Sequence, residues 1–107
     1  MSGGYFNYNQ YRITEIADEI ERAIQKNGKE IPVEDRWASN EHYEKYPEDK
    51  FYHNYRDEVI QKFEDAVKYL RKAQIYAQRI DRLLSGDDGE ESFLTRLNDD
   101  LKEEQND

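Results

Sequence analysis

Gly3-Gly4-Tyr5-Phe6, followed by Tyr8, Tyr11 and Arg12, is the stretch of this chain whose residue types best match a chemistry. Glycines let backbone N–H groups come close to a ligand because no side chain intervenes. The Tyr and Phe rings offer faces for stacking, and a guanidinium offers a fork of donors to phosphate. Tyr76 and Arg79, with Arg82, add a ring and charge beneath Ser85-Gly86. Flat aromatics, Arg and free amides are what a nucleotide-sized anion needs. The candidate ligand-binding set is therefore Gly3, Gly4, Tyr5, Phe6, Tyr8, Tyr11, Arg12, Tyr76 and Arg79. On the other reading of the same rings, they staple the N-terminal arm onto a helical bundle.

Catalysis is poorly supplied. Cysteine is absent, and Ser2, Ser39, Ser85 and Ser92 fall in loops or at caps with no His near in sequence. His42 and His53 stand singly in an aromatic segment and form no metal pair at helical spacing. The acidic turn Asp87–Glu91 fails as an EF-hand loop, because placing Gly86 or Gly89 sixth puts a leucine at a ligand position. Glu15/Asp18 and Glu41/Glu44 have the spacing of the magnesium-binding carboxylates of helical nucleotide pyrophosphohydrolases. No second pair completes them, since residues 58–61 read Glu-Val-Ile-Gln. No glycine-rich phosphate loop is present. The expectation is a binding protein, not an enzyme, with no metal and no cofactor.

These residues must be positioned by helices. Ile13, Ile16, Ala17, Ile20, Ala23 and Ile24 recur in steps that make one helical face, so a helix is expected over 9–27, with Asn9 as cap and Asn27-Gly28 as stop. Residues 1–8 read as an irregular arm. Residues 28–53 carry both prolines with Trp37, Tyr43, Tyr46, Phe51 and Tyr52, and read as an aromatic loop packed on itself, with a short helical turn around 40–45. A small hairpin in 1–8 or 29–36 is weakly signalled. Val59, Phe63, Ala66, Leu70, Ala73, Ala77, Ile80 and Leu84 are spaced alternately four and three apart, the a/d seam of a long helix over 54–84. Asp88 with Glu91 reads as a capping box opening a short helix over 88–103.

The expected fold is all-α and a single domain: an antiparallel helical hairpin with one long central helix, a short C-terminal helix and an aromatic-rich connecting loop. A 54–84 helix is a rod of roughly 45 Å. A globule of this size has a diameter in the mid-thirties, about 35 Å. The first helix is half the rod's length, so copies of the chain are expected to meet along it, with Phe63, Leu70, Ala77 and Ile80 in the oligomer interface.

Charge narrows the partners. Net charge is -9, and charged residues (38%) outnumber hydrophobic ones (36%), a lean core that gains from a partner subunit. An acidic chain of this kind is not expected to bind nucleic acid directly or an anionic membrane. Residues 56–84 are nonetheless net +2, and within them the stretch 68–82 sets Lys68, Arg71, Lys72, Arg79 and Arg82 against Asp81 alone, while residues 85–107 are net -7. The basic stretch either holds a small anion or pairs with the acidic tail. No apolar run approaches a membrane span, and the N-terminus lacks a signal-peptide core.

Two blocks carry a resemblance: the opening Met-Ser-Gly-Gly-Tyr-Phe-Asn-Tyr-Asn-Gln-Tyr-Arg-Ile with Glu15-Ile-Ala-Asp-Glu-Ile20, and Tyr76-Ala-Gln-Arg-Ile-Asp-Arg-Leu-Leu-Ser-Gly-Asp-Asp-Gly-Glu-Glu-Ser-Phe93. Together they resemble a widespread set of small, largely uncharacterised phage and prophage proteins, over nearly the whole chain. That set often carries an aromatic where this chain has Arg82. The resemblance implies an accessory role in the cytoplasm of an infected bacterial host, counter-defence among the possibilities. By analogy with phage sponges, the first reading is sequestration of a nucleotide-type immune signal, a cyclic oligonucleotide or a cyclic ADP-ribose-like molecule, without turnover. The alternatives are an acidic helical inhibitor or DNA mimic that binds a host protein, and a structural or assembly protein.

Overall fold

The computed structural model describes residues 4–105, and within them every regular element is helical. α1 spans Tyr11–Lys26, α2 Asn40–Lys45, α3 Asp57–Leu84 and α4 Glu90–Gln105, with 3-10 turns at Val33–Asp35 and Pro47–Lys50.

The helix ends differ from expectation for local reasons. Asn9 does not cap α1. Asn7 and Tyr8 take left-handed backbone angles, the chain turns there, and Gln10 stands at the N-cap with its side chain turned away to Gln78. At the other end Gly28, at φ +77°, closes the helix as the Asn-Gly pair requires. α3 starts at Asp57 instead of 54 because the Asn27 side chain takes both backbone groups of Tyr55, accepting from its N–H (2.9 Å) and donating to its carbonyl (3.1 Å). Asp57 and Glu58 then sit in the first turn, where the helix dipole favours acids. The Asp88/Glu91 capping box does not form. Ser92 Oγ accepts from Gly89 N–H and donates to its carbonyl, while Asp88 is buried and binds Arg96 at 2.8 Å.

α1 and α4 both pack on α3, but they do not pack on each other. Gln10 meets Gln78, and Asp18 and Glu21 meet Arg71, so the order of contacts along α1 opposes that along α3. Arg79 meets Asp100 at 2.6 Å from the opposite flank of α3. Three helices side by side make a plate. The Cα extents are 63 × 31 × 16 Å and the radius of gyration is 19.8 Å, against about 13 Å for a compact 100-residue chain.

The plate has two unlike broad faces. Each residue turns about 100° around a helix axis. That rotation and the pairs just named put Asp18, Arg71, Gln78, Arg79 and Asp100 on one face. It puts Ile16 and Ile20 of α1, Ala66, Ala73, Ile80 and Leu84 of α3, and Leu94 of α4 on the other. Ile16, Ala73, Leu84 and Leu94 are exposed, and no large side chain among the described residues is fully buried. Ala17 of α1 and Leu97 of α4 are buried. Soluble domains bury such faces in two or more packed layers. This chain supplies one.

The segment between α1 and α3 folds on itself. Glu30 bridges Phe51 in antiparallel fashion, flanked by Tyr52 N–H to Lys29 and Ile31 N–H to Lys50. The pairing thus joins the two ends of the loop, in place of a hairpin within 29–36; the suggested hairpin at 1–8 falls partly outside the described residues. Above this neck, α2 packs on the Pro47–Lys50 turn. Tyr43, 2% exposed, is the centre: its hydroxyl accepts from the backbone N–H groups of Trp37 (3.0 Å) and Ala38 (3.1 Å). Ser39 caps α2.

Candidate functional site

The N-terminal arm lies across the last turns of α3, held by α3 side chains that grip its amides. Phe6 N–H donates to Asp81 Oδ1 at 2.8 Å, and Tyr5 N–H to Ser85 Oγ at 2.9 Å. Gly4 has φ +69°, and a Cβ there would sit 2.7 Å from Asp81 Oδ2, so only glycine brings the backbone this close. Of the amides expected to be free for a phosphate, that of Phe6 is therefore occupied by the protein's own carboxylate and that of Tyr5 by the Ser85 hydroxyl. Asp81, 8% exposed, was visible in sequence only as a lone acid among bases. Gly3 lies outside the described residues.

The arm separates two clefts. The first, of about 500 Å³, opens on the apolar face and is lined by Tyr5, Phe6, Asn7, Gln10, Ile13 and Ala77. Gln10 is 4% exposed; its amide NH2 donates to Gln78 at 2.9 Å, but its Oε1 has no donor among the described residues. Buried polar atoms are usually paired, and this acceptor at the cleft wall is an exception. The second cleft, of about 240 Å³, opens on the ionic face between Gly4, Tyr8, Tyr11 and Arg82, with Asp81 and Asp87 also in its walls. The Tyr8 and Tyr11 rings are 6.0 Å apart and both exposed. Tyr8 holds φ +66°, a conformation that costs a bulky L-residue about 1–2 kcal/mol. Such strain clusters at functional sites.

Of the eight expected residues that are described, the structure brings Tyr5 and Phe6 into one cleft and Gly4, Tyr8 and Tyr11 into the other, and leaves the remaining three outside both. Arg12 is exposed one step round α1 from Tyr11 and lines neither cleft; Tyr76 is exposed and lines neither. Arg79 is committed to Asp100, whose hydrogen bond raises its pKa above the ordinary value. Arg71 is held in the same way by Asp18 and Glu21. Two of the five bases of the run are thus spent on neighbouring helices. Of the other three, Arg82 lines the cleft, with no carboxylate at ion-pair distance among the described residues. Gln10 was missed in sequence because nothing in a surface-type residue beside a cap announces burial.

Phe63 and Leu70 are half-buried along the edge that α1 covers, and Phe63 stacks edge-on against Tyr55 at 5.7 Å. Ala77 and Ile80 are half-buried on the apolar face. Among the described residues no group of three His, Cys, Asp or Glu is placed to hold a metal ion, and no helix is long and apolar enough to cross a membrane. Comparison of the chain with protein-family models, with curated proteins and with solved structures finds no match.

Proposed function

We propose that this chain is a non-catalytic binding protein that works as a homo-oligomer and sequesters a small nucleotide-type anion at its N-terminal arm. The observation that carries the reading is the buried, donorless Oε1 of Gln10, a residue that lines both clefts of the arm. A nucleobase supplies what the apolar cleft lacks: a flat apolar body to lie against Tyr5 and Phe6, and an exocyclic amine to donate to the carbonyl. The neighbouring cleft offers Arg82, Tyr8 and Tyr11 to the anionic part, against the Asp81 and Asp87 carboxylates in the same walls. The apolar cleft opens on the face where Ile16, Ala73 and Leu84 lie exposed, so a second copy meeting that face closes the site. The resemblance to phage proteins supplies the biological reading: a phage protein in the cytoplasm of an infected bacterium, withholding a cyclic oligonucleotide or cyclic ADP-ribose-like immune signal from host defence.

Calorimetry against cyclic dinucleotides, cyclic trinucleotides and cyclic ADP-ribose isomers tests this. One class binds tightly and is recovered unaltered, and Gln10→Ala weakens it by about tenfold or more. Silence across the panel removes the reading. A second reading has its own support. Glu90, Glu91, Asp99 and Glu103 are exposed on α4, in a segment of net charge -7. That acidic edge fits a basic host protein, and its association falls with salt.

A further inference from the structure

The loop between α1 and α3 holds a cleft of its own, of about 560 Å³, within the range of small-ligand sites. Trp37, Glu48, Asp49, Phe51, Tyr52 and His53 line it, and no Lys or Arg does. We propose that this cleft binds an organic cation, an alkylated ammonium or a guanidinium, between the Trp37 and Phe51 rings and the Glu48 and Asp49 carboxylates.

Three features converge on that chemistry. First, the walls combine the two things a weakly hydrated cation needs: electron-rich ring faces and fixed negative charge. Second, the module already uses its other rings this way. Lys26 lies 4.9 Å over Tyr52, Arg36 lies 5.6 Å over Tyr43 and Lys45 lies 5.6 Å over Tyr46. Trp37, the best cation-binding ring type, has no such partner among the described residues and is 67% exposed. Third, the walls are braced. Asp49 Oδ2 is 2.7 Å from His42 Nε2, the His42 ring lies 4.8 Å from Trp37, and the Trp37 backbone N–H is tied to Tyr43. The indole rests beside His42 and edge-on to Tyr43 (6.0 Å), and those contacts still leave most of its surface in water. The cleft carries no feature of the arm site, and the two proposals stand or fall separately.

Trp37 is the only tryptophan in the chain, so its fluorescence reports the cleft directly. The probes are tetramethylammonium, a short peptide with one trimethyllysine, the same peptide with arginine, and neopentyl alcohol as the neutral isostere. Saturable quenching or a blue shift with the cations, and at least about tenfold weaker response to the alcohol, is expected. Response to tetramethylammonium alone assigns a free small cation, and response to the peptides alone assigns a partner's side chain. Glu48→Gln weakens the cation response several-fold with the far-ultraviolet dichroism unchanged. Because Asp49 braces His42, ligand-observed saturation-transfer NMR on Trp37→Phe supplies a second check, with transfer to the methyl groups reduced. An equal response to the alcohol, or no response to any cation, overturns the proposal.

Discussion

Asp81 does at the residue scale what a bound anion would do: it accepts the Phe6 amide that the arm's first turn presents. Its grip depends on Gly4, whose backbone lies where any Cβ would strike the carboxylate. Gly4→Ala therefore forces the carboxylate and the arm apart and adds the strain of φ +69°. The expected cost is about 2 kcal/mol or more, from the left-handed conformation and the lost charge-assisted hydrogen bond together. Amide exchange at Phe6 checks it. Protection there collapses in Gly4→Ala and in Asp81→Ala, and less in Asp81→Asn, which keeps an acceptor oxygen. Full protection of the Phe6 amide in Gly4→Ala means that something other than Asp81 holds the arm.

At the scale of elements, the aromatic loop behaves as a unit of its own. Its α2 and Pro47–Lys50 turn pack on one another around Tyr43, and the loop meets α1 and α3 at its base, through Tyr52 under Lys26 and Tyr55 against Phe63. Tyr43→Phe removes one oxygen and leaves two N–H groups without their acceptor, a local loss of about 1–3 kcal/mol. Trp37 fluorescence then unfolds at lower urea than in the parent protein, while helical dichroism follows its original curve. Coincident shifts of both signals mean that the loop and the helices unfold together. The helices themselves were legible from the three-and-four spacing of Ile13 to Ile24 and of Val59 to Leu84, because burial on one face writes that period directly. The loop's architecture was not, since the bond from Tyr43 to Trp37 and the bridge from Glu30 to Phe51 are set by side-chain shape and chain closure, which leave no period. The site was half legible. Rings and glycines announced the arm, but Arg79's commitment to Asp100 and Gln10's burial depend on which flank of α3 each neighbour takes, and spacing along one helix does not specify that.

At the scale of the whole molecule the plate is the unresolved physical problem. Ile16, Leu84 and Leu94 each keep about half of their surface in water on one broad face, and covering the rest is worth about 1 kcal/mol apiece. The free stripe of α3 is suited to meet a copy of itself, whereas Phe63 and Leu70 turn to the edge that α1 covers. Turned about a two-fold axis at residue 73, the stripe sets Ala73 on its own copy and Ala66 on Ile80, small against large. Two plates closed in this way form the second layer that one plate lacks. Ala73 is exposed in the single chain, so Ala73→Glu leaves that chain's own packing untouched and places two carboxylates in the joint. Sedimentation at micromolar concentration distinguishes the outcomes. The parent protein runs at twice its 12.9 kDa chain mass, Ala73→Glu runs as a single chain with the same helix content, and Lys68→Glu, outside the stripe, leaves association unchanged. A parent protein that sediments as one chain, or an Ala73→Glu that still pairs, removes the stripe as the joint.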